Sequence, residues 1–160
     1  MRMIVTSDTH RDFYALQKLL EKHRDNADIF VHLGDGAQEL EQIRELYPEC
    51  RFLVARGNCD FGSDATLAGC FSVGLARIFY THGHMYNVKF TLYDLMRAAR
   101  EIEANVVLFG HTHQPLCDYR DGVHLMNPGS LGMPQDGRRT YGVVDVTERD
   151  IVCYLNELKF

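Results

Sequence analysis

Short apolar runs recur along the chain, and five of them end in residues that carry donor atoms. Met3-Ile4-Val5-Thr6-Ser7 leads into Asp8-Thr9-His10, and Ile29-Phe30-Val31-His32-Leu33 leads into Gly34-Asp35. Phe52-Leu53-Val54-Ala55 runs into Arg56-Gly57-Asn58-Cys59-Asp60, and Ile78-Phe79-Tyr80-Thr81 into His82-Gly83-His84. The fifth run, Asn105–Phe109, gives way to Gly110-His111-Thr112-His113. Runs this short, rich in β-branched residues and closed by Gly or polar groups, predict buried strands. Between the early runs the period lengthens. Phe13, Leu16, Leu19 and Leu20 share one helical face, with Asp12 as N-cap and an end near Arg24–Asn26. Leu40, Ile43 and Leu46 or Tyr47 mark a second helix, about Ala37–Tyr47, stopped by Pro48.

This β-α-β-α-β order predicts a parallel sheet with right-handed crossovers. Beyond Asp60 the pattern changes. Phe61–Gly69 reads as loop, and Cys70–Val73 with Arg77–Thr81 as a hairpin. Thr91 and Asp94 suggest a capping box for a helix carrying Leu92, Leu95, Met96, Ala99 and Ile102. The last third reads as antiparallel strands: Leu116–Tyr119 with Val123–Met126, then Tyr141–Val146 with Ile151–Leu155. Apolar strands with two buried faces need two covers, so two stacked sheets with helices outside both are expected.

Composition narrows the class. The chain has 160 residues, 46% hydrophobic and 24% charged, as in an ordinary globular domain, and a single domain over 1–160 is expected. A formal charge of -5 argues against strong nucleic-acid binding or attraction to an anionic membrane. No apolar stretch approaches the roughly 20 residues of a membrane span, and no export signal opens the sequence. Cys50, Cys59, Cys70, Cys117 and Cys153 are odd in number and lack Cys-x-x-Cys spacing. Reduced, mostly buried thiols and a cytoplasmic location are expected from them. A homo-oligomer is left open.

The chemistry lies where the strands end. Open α/β sheets bind ligands outside the carboxyl ends of their strands. Asp8, His10, Asp35, Asn58, His82, His111 and His113 offer seven nitrogen or oxygen donors there. One metal takes about four to six ligands, some of them water, so seven suffice for two. Either Asp8 or Asp35 has the two oxygens needed to bridge. Two divalent cations can clamp the attacking and leaving oxygens of an in-line displacement and lower the pKa of a bound water. The charge left after two carboxylates and a hydroxide is positive, which suits a phosphate.

These residues resemble the calcineurin-like metallophosphoesterases, and among them the small single-domain bacterial and archaeal phosphodiesterases. The motifs that carry the likeness are Asp8-Thr9-His10, Gly34-Asp35, Gly57-Asn58-Cys59-Asp60, His82-Gly83-His84 and Gly110-His111-Thr112-His113, in the family's order. Asn127-Pro128-Gly129-Ser130 also resembles a turn of the family. The resemblance implies an α/β fold, a four-layer α-β-β-α sandwich with two mixed sheets. It implies one metal on Asp8, His10 and His113, a second on Asn58, His82 and His111, and Asp35 bridging. A hydroxide between the metals would attack the phosphorus of a small phosphate ester in line. Manganese is the first expectation, with iron, nickel, cobalt or zinc suited to the same ligands.

One departure stands out. Many members of that family carry His where this chain has Cys59, and a thiol hydrogen-bonds weakly. Modest turnover and a preference for good leaving groups are therefore expected, with an inert packed thiol as the competing reading. His84 and Arg11 are further candidates for contacting substrate. Asp60 reads as a brace for the Asn58 loop or a group that orients a ligand His, and His32 as a core residue or a support behind the ligands, rather than as metal donors. His23 and His124 read as surface residues, and Phe61 and Met133 as lining the mouth. Competing classes fit less well. Amidohydrolase barrels need about 250 residues, and His82-Gly83-His84 lacks the Asp-His pair that metallo-β-lactamase-type enzymes carry next. A protein-binding scaffold of the same fold, or a phosphomonoesterase, remains the alternative.

Overall fold

The computed structural model describes residues 1–160. Strands β1 (Arg2–Thr6), β2 (Ile29–His32) and β3 (Phe52–Val54) run parallel, linked by helices α1 (Phe13–His23) and α2 (Ala37–Leu46). The hairpin β4 (Ala68–Val73) and β5 (Ala76–Thr81) precedes helix α3 (Tyr93–Glu101) and strand β6 (Val106–Leu108). Two more hairpins follow, β7 (Leu116–Arg120) with β8 (Val123–Asn127) and β9 (Thr140–Val146) with β10 (Ile151–Glu157). The strands form two mixed sheets, ordered β10-β9-β1-β2-β3 and β4-β5-β6-β8-β7.

Alternation along each strand decides what it touches. Met3 and Val5 of β1, Ile78 and Tyr80 of β5, and Val106 and Leu108 of β6 point into one cluster between the sheets. Their neighbours Ile4 and Phe30 face α1 and α2 through Leu16, Leu19, Leu40 and Ile43. Phe79 and Val107 face α3 through Leu95, Met96 and Ala99. The outcome is the expected four-layer α-β-β-α sandwich. No helix is long and apolar enough to cross a membrane.

Several expectations need correction. The last third is not wholly antiparallel, because β8 inserts beside β6 in parallel, Val107 against Leu125. The Thr91–Asp94 capping box does not form. The Thr91 hydroxyl accepts a bond from the Tyr93 N–H, while the Thr91 N–H donates to the Asn87 carbonyl. His23 is buried, bonded to the Tyr141 hydroxyl at 3.0 Å, and His124 is half-buried beside Tyr119. Leu46 is exposed, and Tyr47 takes the inward place of that pair. None of the cysteines is buried: Cys59, Cys70 and Cys117 are exposed, Cys50 and Cys153 half-buried, and all five are free thiols. Cys70, Cys117 and Cys153 lie on the edge strands β4, β7 and β10, and Cys50 and Cys59 lie in loops, away from the middle of either sheet.

Candidate metal centre

All seven expected donors lie at one rim, beyond the carboxyl ends of β1, β2, β3, β5 and β6. They gather in two groups. Donor atoms of Asp8, His10 and His113 lie within 4.8 Å of one another, as do those of Asp35, His82 and His111. Asp35 Oδ2 sits between the groups, 3.9 Å from His10 Nε2 and 3.4 Å from His82 Nε2. Asn58 joins the second group through Oδ1, 3.0 Å from His82 Nε2.

The backbone sets these side chains with unusual conformations. Asp8, His10, Asp35, His111 and His113 all have positive φ, between 43° and 69°. Left-handed backbone turns each side chain back over its strand end, and neighbouring glycines give it room. A Cβ on Gly57 would collide with the Asp35 carboxylate, and one on Gly110 with Ser7 and Asp8.

Outer partners fix the ring orientations. His82 Nδ1 donates to the Leu33 carbonyl at 2.7 Å, and His113 Nδ1 to the Met133 carbonyl at 3.0 Å. With Nδ1 protonated, each neutral ring presents a bare Nε2 to the centre, the arrangement typical of metal-bound histidine. His113 Nε2 then faces His10 Nε2 at 3.1 Å, and His82 Nε2 faces His111 Nδ1 at 3.2 Å. Each contact is closed by a proton on the facing His10 or His111 nitrogen, or by a cation held between the two rings. Asp8 Oδ1 is buried without a hydrogen-bond partner, 3.2 Å from His113 Nε2. Asp8, His10 and His113 could hold one divalent cation, and Asp35, His82 and His111, with Asn58 beside them, could hold another.

Without a cation the groups lean on one another. Burial pushes the Asp8 carboxyl up, but His10 and His113 outweigh it and hold the group below the usual carboxylate range. Burial likewise opposes ionisation of Asp35, and His82 brings it down to about 2. The Asp8 carboxylate raises His10. His82 is pulled down by burial but raised overall by Asp35 and Asp8. Partial burial and the neighbouring His82 bring His111 down to about 4. Burial and Asp35 push the Cys59 thiol up.

The remaining candidates surround the donors. Arg11, Cys59 and Phe61 line an open cavity of about 340 Å³ with His10, Asp35 and Gln38. Phe61 is 91% exposed. Met133 is outside that cavity and reaches the site through its carbonyl. His84 is half-buried, its ring 5.3 Å from that of His82, with Nδ1 buried and unpartnered. Asp60 braces rather than ligates, accepting from the N–H groups of Asp35, Gly36, Ala37 and Gly57. His32 is buried beneath the centre and bonds to the Thr9 hydroxyl at 3.0 Å.

Sequence reasoning passed over four supports. Glu39 accepts from the Thr9 hydroxyl and from the Arg11 N–H. Ser7 donates to Asp8 Oδ2, and Asn127 donates to the Gly110 carbonyl. Ser130 donates to the Asp8 carbonyl from 122 positions away. The only available signal was the position of Ser130 and Asn127 in a turn like those of the resembled family.

Comparison with known proteins agrees with this architecture. The model of the calcineurin-like phosphoesterase superfamily domain matches residues 1–149. A probable metallophosphoesterase of Bacillus subtilis, YsnB, is 31% identical over 150 residues, covering 94% of this chain and 86% of the relative. The phosphodiesterase YfcE of Escherichia coli is 28% identical over 170 residues, covering 91% and 88%. Vps29 of Chaetomium thermophilum superposes with a TM-score of 0.81 at 19% identity, covering 99% and 88%, a likeness of fold alone. With the family model spanning nearly its whole length and the motif residues drawn to one rim, the chain belongs to the calcineurin-like phosphoesterase superfamily.

Proposed function

We propose that this protein is a metal-dependent phosphodiesterase. Asp8, His10 and His113 would hold one divalent cation and Asn58, His82 and His111 a second, with Asp35 placed to serve both. The observation that carries the reading is the pair of facing imidazole contacts, 3.1 and 3.2 Å, on either side of Asp35. When bound, the cations supply a water of lowered pKa as nucleophile and positive charge for the phosphate oxygens of an in-line displacement. Manganese is the expected occupant of these nitrogen and oxygen donors.

The chain's own groups do the rest. Asp35 and Asp8 stay ionised and anchored, Asp35 by the Cys59 N–H at 2.8 Å and Asp8 by the His111 N–H at 3.0 Å. The cavity beside His10 admits a small ester, with the Arg11 guanidinium at its mouth to meet a phosphate oxygen. His84 stands over the His82 side to meet another. Cys59 faces the departing oxygen and gives it little proton help, which favours esters with good leaving groups. A diester preference is supported by the likeness to YfcE. The scaffold reading fits less well, since every donor side chain is present and converges.

The test is a metal titration of chelated protein, comparing an aryl phosphodiester with the corresponding monoester, with His111→Ala as blank. Diester hydrolysis that needs added Mn²⁺ and vanishes in the blank is expected. Faster monoester hydrolysis would make the protein a phosphomonoesterase, and equal rates for protein and blank would end the enzyme reading.

A further inference from the structure

The cavity beside the proposed centre holds a third set of ligand types. Cys59 Sγ lies within 4.8 Å of donor atoms of both His10 and Asp35. We infer that Cys59 is a conditional metal ligand, whose thiolate joins His10 and Asp35 around a thiophilic cation such as Zn²⁺ or Cd²⁺ and leaves Mn²⁺ alone. This rests on the metal centre proposed above and adds to it a residue that selects between cations.

Three observations converge. The backbone of Cys59 is pinned to the centre, its N–H donating to Asp35 Oδ1 at 2.8 Å, so the thiol cannot drift far from the carboxylate. The side chain itself is exposed, with Asn58 Nδ2 at a long 3.4 Å and the Asp35 carboxylate as its polar neighbours, so no apolar packing holds it in place. Asp8 Oδ1, wholly buried and without a partner, lies 3.7 Å from His10 Nε2, so the His10 side has an acceptor aimed at a cation. A packed thiol would have been buried among apolar groups, and this one is not.

The chemistry then discriminates. Imidazole and carboxylate serve a broad range of divalent ions, while thiolate favours Zn²⁺ and other soft ions over Mn²⁺. On binding, the thiol proton passes to solvent as the sulfur–metal bond forms, and no oxidation state changes. The sulfur then occupies the cavity side of the ion, where a substrate oxygen would approach.

The test titrates metal-free full-length protein, Cys59→Ser and Cys59→Ala with Co²⁺, Cd²⁺ and Mn²⁺, following heat of binding and near-ultraviolet absorption. The wild type should gain a thiolate-to-metal charge-transfer band with Co²⁺ and Cd²⁺ that both variants lack. Cd²⁺ affinity should fall about tenfold or more in the variants, while Mn²⁺ affinity moves less than about twofold. Stoichiometric binding without the band, or a band that survives in both variants on the other four cysteines, would overturn the inference and leave the metal centre standing. Absence of binding by any of the three ions would overturn both.

Discussion

Five of the nine non-glycine residues with positive φ are proposed metal donors. Such backbone costs on the order of 1–3 kcal/mol per residue and persists only where the surroundings impose it. Along Asp8–Arg11 the Asp8 and His10 N–H groups are tied to the Gly34 and Asp35 carbonyls, and buried Glu39 holds the rest through the Thr9 hydroxyl and the Arg11 N–H. Glu39→Ala leaves both donors without that partner. Mn²⁺ affinity is then expected to fall about 10–100-fold, as for lost outer-shell support, with Glu39→Gln recovering part of it. Calorimetric titration decides the matter, and an unchanged affinity in the alanine variant would refute this role. Cys59 allows a second single-residue trial. Imidazole is a better proton donor near neutral pH than a thiol pushed up by burial and Asp35. Cys59→His should therefore raise turnover of diesters with poor leaving groups by about tenfold or more. Steady-state rates across a leaving-group series check this, and a uniform change across the series would contradict it.

Strands and helices behave as carriers of the site, and the loops between them tolerate little. Gly57 follows β3 and is buried against Asp35, so Gly57→Ala must push the carboxylate aside. Loss of Mn²⁺ binding is expected, with the fold retained by circular dichroism, and normal binding in this variant would show the loop to be compliant. What was readable in the sequence follows the same division. Short continuous apolar runs gave away the strands because inner residues such as Met3 and Val5 and outer ones such as Ile4 are all apolar. The seven donors were readable because each sits where such a run stops. His23 was misplaced because its neighbours Glu21, Lys22, Arg24 and Asp25 are charged. Yet it continues the stripe of Leu16, Leu19 and Leu20, and that spacing was the better guide. The parallel insertion of β8 beside β6 was not readable, since a hairpin fixes only its own two strands. Glu39 and Ser130 were hidden too, because their partners lie far away in sequence.

At the scale of the whole molecule the last third closes the first. β9 pairs with β1, and the Leu131 and Gly132 N–H groups reach the Ser7 and Asp8 carbonyls. Arg139 pairs with Asp12 at the head of α1, and Tyr141 meets His23 at its foot. The foot is the part of this closure that responds to pH. Burial lowers the pKa of His23, Lys22 and Arg2 add to that, and the Asn26 bond opposes it without reversing it. The sign then follows from linkage. The unfolded chain takes up a proton near the ordinary value of about 6.5 while the folded ring resists, so unfolding binds protons as pH drops. The stability held by neutral His23 is complete above that value and is lost as pH falls through the lower folded one. His23→Gln cannot titrate but keeps polar atoms near Tyr141. Urea unfolding at a series of pH values from about 7.5 to 5 should therefore show the wild type losing its advantage over the variant as the solution becomes acidic. A difference that stays constant, or widens, would mean that His23 accepts its proton without leaving Tyr141. The tie between α1 and β9 would then be indifferent to charge, and the acid sensitivity of the fold would have to arise at the metal rim instead.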